Sequence, residues 1–295
     1  MTTSTTHSNP TSRQTTPPPA LPGHGTVVVV GATGKTGRRV AAGLTDLGVD
    51  VRPVSPRGAT QFVWEDEATW DAALEGAVAA YVSYVPDLAV PGAAETVAKL
   101  ARRARGHGLT RVVLLSGRGE AGAQEAEQAV LSELPASGVV RCSWFMQNFS
   151  EGLLLDSLRS GTIALPAPST AVEPFLDLDD LAAVAVHALT QPGNEGRVHE
   201  LTGPTAHSLD ETAAILTEAT GRRVRYVEVS VEQFAEQLTA AGLPFDDGVW
   251  LGTLFGEILD GRNALPTDGV ERAVGRPATS LSTWAHRVAA TGGWS

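Results

Sequence analysis

The stretch Val27-Val28-Val29-Val30-Gly31-Ala32-Thr33-Gly34-Lys35-Thr36-Gly37-Arg38-Arg39-Val40 decides the reading of this chain. Four β-branched residues ending on a glycine are the pattern of a strand buried on both faces. The glycines that follow are spaced G-x-x-G-x-x-G, and a helical pattern runs on over 36–47, closed by Gly48 at its C-terminal end. A phosphate at such a turn needs backbone N–H groups aimed at it and no side chains in the way. Gly31 makes the tight turn, Gly34 lets the backbone approach a pyrophosphate, and Gly37 lets helix and strand pack. The helix N-terminus adds partial positive charge. A strand directly before the glycines and a helix directly after them make this a dinucleotide-binding pattern. Lys35 is not a Walker lysine, because the G-x-x-x-x-G-K-[ST] spacing is absent.

Outward from the turn, strands are expected over 49–54, 77–85, 111–116 and 139–143, with an Ala-rich helix over 91–106. Strand and helix alternate, so the expected fold class is α/β, a doubly wound parallel sheet of the Rossmann type. A site preferring NAD carries an acid at the end of its second strand, on the ribose hydroxyls. Here that strand ends Val51-Arg52-Pro53-Val54-Ser55-Pro56-Arg57, without an acid. Ser55 and Arg57 are placed to hold a 2′-phosphate, which favours NADP(H) over NAD(H); the alternative is that Arg57 is a solvated loop residue. Arg38, in the first helical turn, is a second cation within reach of the phosphate.

The 295 residues carry 22 Lys and Arg against 33 Asp and Glu, a net charge of −11 that argues against a nucleic-acid binder. One cysteine, Cys142, excludes an intrachain disulfide framework and a cysteine-based zinc site. No apolar run reaches the roughly 20 residues of a membrane span. The expectation is a cytoplasmic protein acting on a small molecule, as monomer or homodimer, with neither a nucleic-acid nor a membrane partner. Residues 1–24, rich in Thr, Ser and Pro with the single charge Arg13, are expected to be a disordered tail. They have neither the basic start nor the apolar core of a signal peptide. The histidines show no metal spacing and no Gly-x-Ser-x-Gly elbow occurs, so no metal site and no serine hydrolase are expected.

The glycine turn, together with Arg141-Cys142-Ser143-Trp144-Phe145-Met146-Gln147-Asn148-Phe149, resembles the NmrA-like branch of the atypical short-chain dehydrogenases. Phe175-Leu176-Asp177-Leu178-Asp179-Asp180-Leu181-Ala182, His199-Glu200-Leu201-Thr202-Gly203-Pro204 and Gly275-Arg276-Pro277 fall in matching order. The resemblance runs from about Thr26 to Trp294 and looks nearest to the quinone reductases and the ergot-alkaloid-type iminium reductases. It implies a Rossmann domain over 25–150, completed by about 170–204. It also implies a smaller, discontinuous C-terminal substrate lobe from 151–169 and 205–295. By resemblance Gly31, Thr33, Gly34, Lys35, Thr36 and Gly37 touch NADP. Tyr84, Pro86, Ser116 and Gly117 line the cofactor or the cleft, and Trp144, Phe145 and Asn148 lie near the nicotinamide.

Two departures stand out. The arginine of many relatives falls where Pro56 stands, one place before Arg57. The Tyr-x-x-x-Lys pair is missing: 120–127 reads Glu-Ala-Gly-Ala-Gln-Glu-Ala-Glu, and Lys35 and Lys99 are the chain's only lysines. A ketone reduction that depends on a tyrosine proton donor beside a lysine is therefore not expected. An iminium carbon, quinone or enone is electron-poor enough to take hydride by positioning alone. The expected activity is NADP(H)-dependent reduction of such an activated double bond in a small, cyclic substrate. Trp144 and Phe145, with Phe149 read rather as core, shape an apolar pocket for it. Candidate proton donors are Ser116, Tyr84 and Tyr81; alternation along a strand sends the two tyrosines to opposite faces. Ser208–Glu211 is a capping box opening a helix that Gly221 closes, and 222–229 alternates like a strand. The stretch 246–255, with Trp250, is a lid, a pocket wall or core. Two other readings stay open, a dinucleotide sensor without turnover and a non-redox, isomerase-like enzyme that retains the dinucleotide.

Overall fold

β1 (Thr26–Val30) is buried along both faces, with Val27 and Val29 in one apolar core and Val28 and Val30 in another. A strand of this kind needs helices on both sides of its sheet, and the rest of the chain supplies them. The computed structural model describes residues 25–152 and 154–294; the expected tail, 1–24, lies outside the described residues. After β1 come α1 (Lys35–Asp46), β2 (Val51–Ser55), β3 (Thr60–Gln61), α2 (Ala68–Leu74), β4 (Ala77–Val82) and α3 (Ala93–Gly106). β5 (Arg111–Gly117), α4 (Ala121–Glu133) and β6 (Gly138–Cys142) follow, then a 3-10 turn over Met146–Phe149, α5 (Leu155–Arg159), β7 (Thr162–Leu165) and β8 (Val172–Glu173). α6 (Leu178–Thr190), β9 (Val198–Leu201), β10 (His207–Ser208), α7 (Leu209–Thr220) and β11 (Arg225–Glu228) lead to four closing helices. These are α8 (Val231–Ala240), α9 (Phe245–Ile258), α10 (Gly269–Val274) and α11 (Leu281–Ala290).

Seven strands pair in parallel in the order β3-β2-β1-β4-β5-β6-β9, a doubly wound sheet. α1 and α6 cover the Val27 face, where Val40, Leu44 and Leu181 meet Tyr81 and Val113. α2, α3 and α4 cover the other, where Trp70, Val97 and Val130 meet Val82 and Leu114. A third apolar cluster joins Trp144, Phe149 and Phe175 to Phe234, Trp284 and Trp294 of the C-terminal part. There β8 pairs with β10 and β7 with β11, as two small sheets.

Two glycines of the turn have a structural reason. Gly31 takes φ +78°, which favours glycine. A Cβ on Gly37 would fall on the Gly31 carbonyl, so α1 can lie this close to β1 only without one. Elsewhere, β4 stops at Val82 rather than 85, because its partner β1 ends at Val30, the residue paired with Val82. The strand expected over 222–229 is trimmed to β11 by its short partner β7. Residues 246–255 are helical, within α9. Gly248 and Gly252, one turn apart, let α9 close onto Ala235 and Phe234 of α8.

The C-terminal part is fastened by buried acids. Asp177 caps α6 through the Asp179 N–H, accepts from Gln147 Nε2 at 2.7 Å, and meets Arg287 at 2.6 Å. Asp180 meets Arg276 at 2.6 Å and the Thr279 N–H at 2.6 Å. The motifs around 175–182 and 275–277, distant in sequence, thus meet in space as a clasp.

Candidate active site

The sheet order reverses between β1 and β4, and a cleft of about 430 Å³ opens at the C-terminal ends of the strands there. Ligands of open α/β sheets bind at such a switch point. Its floor on one side is Gly34, Lys35 and Thr36, the start of α1. No side chain caps α1, and its first turn holds no acid. The leading N–H groups are therefore free of helical partners and face an electropositive dipole end, a cradle that fits a pyrophosphate. Lys35 reaches into the cleft and donates to Asn148 Oδ1 at 2.8 Å. Burial lowers its pKa from the ordinary value, with Glu151 opposing. The turn fits a dinucleotide on these observations alone.

Ser55 ends β2 beside the turn, where the Gly31 and Ala32 N–H groups bond to the Val54 carbonyl. Arg57, just beyond, is exposed and has no side-chain partner among the described residues. Arg38 pairs with Glu151, as does Arg39, which also holds Asp179 at 2.9 Å. The two arginines outweigh burial and hold the Glu151 carboxyl below its ordinary pKa.

Tyr84, Pro86, Ser116 and Gly117 line the opposite side of the cleft. Trp144 and Phe145, after β6, and Trp250 and Phe255 of α9 form its apolar wall, with Trp144 edge-on to Phe255 at 5.2 Å. The 246–255 stretch is thus a helical wall. Phe149 lies wholly in the C-terminal core. The tyrosines do face opposite ways. Tyr81 is a correction to the list of proton donors: it is fully buried beneath the sheet with Val40 and Leu181, and burial raises its pKa. Ser116 Oγ donates at 2.5 Å to Glu127, itself buried and held by Arg141. Its hydroxyl proton is therefore engaged away from the cleft.

Three acids on the cleft were not singled out from the sequence: Asp87, Glu120 and Glu173. Glu120 stands at the start of α4, the helix that lacks the Tyr-x-x-x-Lys pair, folded over Gly117 where a Cβ would strike its carboxyl. Burial, then the charge of Asp87, pushes Glu120 up to about 8. Burial also raises Asp87, against a hydrogen bond from the Ala89 N–H. Glu173 is 2% exposed; burial pushes it up to about 7, with the Trp144 N–H and Arg118 opposing. The one signal for it in the sequence is an acid inside the apolar run 171–176.

No protein-family model matches the chain. Over 269 residues it is 33% identical to the uncharacterized oxidoreductase YesF of Bacillus subtilis (strain 168), covering 88% of this chain and 93% of the relative. The crystal structure of NmrA, a negative transcriptional regulator, superposes with a TM-score of 0.68 at 18% identity, over 90% of this chain and 96% of that one. The chain belongs to the NmrA-like family of atypical short-chain dehydrogenases/reductases. The NAD(P)H azoreductase of Xenophilus azovorans is 30% identical over 289 residues, 90% of this chain and 99% of the relative. The protein is an NAD(P)H-dependent oxidoreductase of this family. Among the described residues no group of three His, Cys, Asp or Glu is arranged to hold a metal, and no helix is long and apolar enough to cross a membrane.

Proposed function

We propose that this NmrA-like protein is an NADP(H)-dependent reductase that adds hydride to an activated double bond, an iminium or imine, enone or quinone, of a small cyclic substrate. The observation that carries this is the continuity of one cleft. It runs from the uncapped start of α1 to an aromatic wall, and the helix beside it has neither tyrosine nor lysine. When bound, the reduced dinucleotide supplies the hydride. The chain's own residues do the rest. Gly31, Thr33, Gly34 and Gly37 shape the turn, and the N–H groups of Lys35 and Thr36 bind the pyrophosphate, with Lys35 Nζ held in place by Asn148. Gly117 and Pro86 line the cleft where the nicotinamide half would lie. Trp144, Phe145 and Trp250 hold a flat substrate and exclude water, so that donor and acceptor carbons stay within roughly 3–3.5 Å. Tyr84 offers the substrate a hydroxyl, and Ser116, its own proton given to Glu127, offers an acceptor lone pair.

The preference for NADP(H) rests on Ser55 and Arg57 at the end of β2. Two further divisions of the chain belong to this reading. Residues 25–150 with 170–204 form the dinucleotide-binding unit, and 151–169 with 205–295 form the substrate lobe, supported by the separate apolar cluster around Phe234 and Trp284.

NADPH oxidation with a panel of quinones, cyclic enones and cyclic iminium salts tests the reading, and turnover with at least one class is expected. Tight NADPH binding without oxidation across the panel would make the chain a sensor instead. Arg57→Ala is expected to raise the KM for NADPH about tenfold, the weight of one charge-assisted phosphate contact, and leave that for NADH unchanged. Equal loss for both would remove the 2′-phosphate from this strand end.

A further inference from the structure

Glu173 is one of three cleft acids that the mechanism above leaves unused. It ends β8 and lines the same cavity as Ser116 and Trp144. Its Oε1 accepts the Trp144 backbone N–H at 3.1 Å, which fixes the carboxyl against a residue of the cleft wall. Its Oε2 has no hydrogen-bond partner among the described residues, although the side chain is 98% enclosed. Buried polar atoms are almost always paired, so an unpaired one on a cleft asks for a ligand atom. The surrounding charges do not supply a partner. Arg118 gives its Nε–H to Glu200 and an Nη1–H to the Asn263 carbonyl, each at 2.6 Å, and acts on Glu173 only as a nearby charge. His207 stands opposite Glu173 across the β8–β10 pair, and Asp87 and Glu120, on the same cleft, are acids themselves. Of the other donors, Ser116 gives its proton to Glu127, Tyr81 is sealed in the core, and Glu120 is engaged with Asp87; Tyr84 stays on the cleft as a neutral hydroxyl.

We propose that Glu173 is the acid of the reaction, its Oε2–H giving the proton that completes the reduction of a neutral acceptor. This rests on the reductase reading. As hydride adds to the electron-poor carbon, the π pair moves to the acceptor oxygen or nitrogen. The Oε2–H bond breaks and the new O–H or N–H bond forms. Hydride and proton together account for both hydrogens of the product, and the Glu173 carboxylate regains its proton from water at the cleft mouth. A preformed iminium cation accepts hydride and becomes a neutral amine, so it needs no proton.

That contrast is the test. Wild type and Glu173→Gln are compared with NADPH on cyclohexenone, or the best neutral acceptor of the panel, and on an N-methylated cyclic iminium salt. The ratio of the neutral-acceptor rate to the cation rate is expected to fall about 100-fold in E173Q, the usual weight of a general acid. In wild type the same ratio falls as pH rises through the titration of Glu173, a readout that needs no variant. A second readout needs no cofactor: difference infrared spectra of the cofactor-free protein, wild type minus E173Q, are expected to contain a protonated carboxyl band that disappears as pH rises through neutrality. An unchanged ratio overturns the proposal. So does a larger loss on the cation, which would make Glu173 a charge-recognition group, or the absence of the band. Wild type that reduces only the cation overturns it as well. Wild type inactive on every acceptor while binding NADPH overturns the reductase reading, and this proposal with it.

Discussion

Two sets of buried carboxyls in this chain differ in what faces them. Asp177, Asp180 and Glu127 each meet a guanidinium, of Arg287, Arg276 and Arg141 in turn, and each also bonds N–H or O–H groups. Asp177 and Asp180 join segments far apart in sequence, and Glu127 ties α4 to β5 and β6. Glu173, Glu120 and Asp87 form no ion pair among the described residues, Arg118 acting on Glu173 only as a nearby charge, and all three line the cleft. A buried carboxylate is held ionised where an arginine and hydrogen bonds replace its water. Without that replacement the carboxyl holds its proton to higher pH, and such groups gather where chemistry is done. The first set ties elements together; the second lines the candidate active site.

The largest effect that would break this comparison lies in the first set. Asp177→Ala removes the α6 cap, worth roughly 1 kcal/mol, and strands the buried Gln147 amide at about 1–3 kcal/mol. Chemical unfolding is expected to show a loss of about 3 kcal/mol with little change in NADPH affinity. A stability within about 0.5 kcal/mol of wild type would mean that the clasp is not what holds the C-terminal part. In the second set the sign reverses. Glu120 titrates above its ordinary pKa, so wild type loses stability as pH rises from that value through about 8, and Glu120→Gln escapes the loss. The gain of the variant over wild type is expected to grow with pH in thermal unfolding, moderated because Asp87 can then ionise unopposed. A gain that shrinks with pH would contradict the carboxyl pairing. At the small end, Arg102 and Glu133 form an exposed ion pair at 2.5 Å. Arg102→Ala is expected to leave the unfolding midpoint where it is, and a clear drop would show that exposed pairs matter here as much as buried ones.

The comparison also explains what the sequence made legible. The glycine turn could be read because its demands are local: a positive φ at Gly31 and a missing side chain at Gly37. The opposite faces of Tyr81 and Tyr84 followed from strand parity, and the capping box at Ser208 and Glu211 from spacing alone. The Arg38–Glu151 pair could not be read, because the partners lie 113 residues apart. Sequence alone could not choose between lid, wall and core for 246–255, because its glycines act as contact points against α8. Glu173 was invisible for a similar reason. Its meaning comes from β8 folding back beneath Trp144, a contact across 29 residues that no local pattern announces.

The most direct test is the stability difference between Glu173→Gln and wild type across pH, in the cofactor-free protein. Burial has raised the Glu173 pKa from 4.5 to about 7, so wild type loses stability as pH climbs between those values and no more above them. The difference between variant and wild type is expected to shift in favour of the variant by about 3 kcal/mol across that window and then level off. A difference that stays flat from acid to alkaline pH would mean that Glu173 does not take up a proton in that window and has none to give.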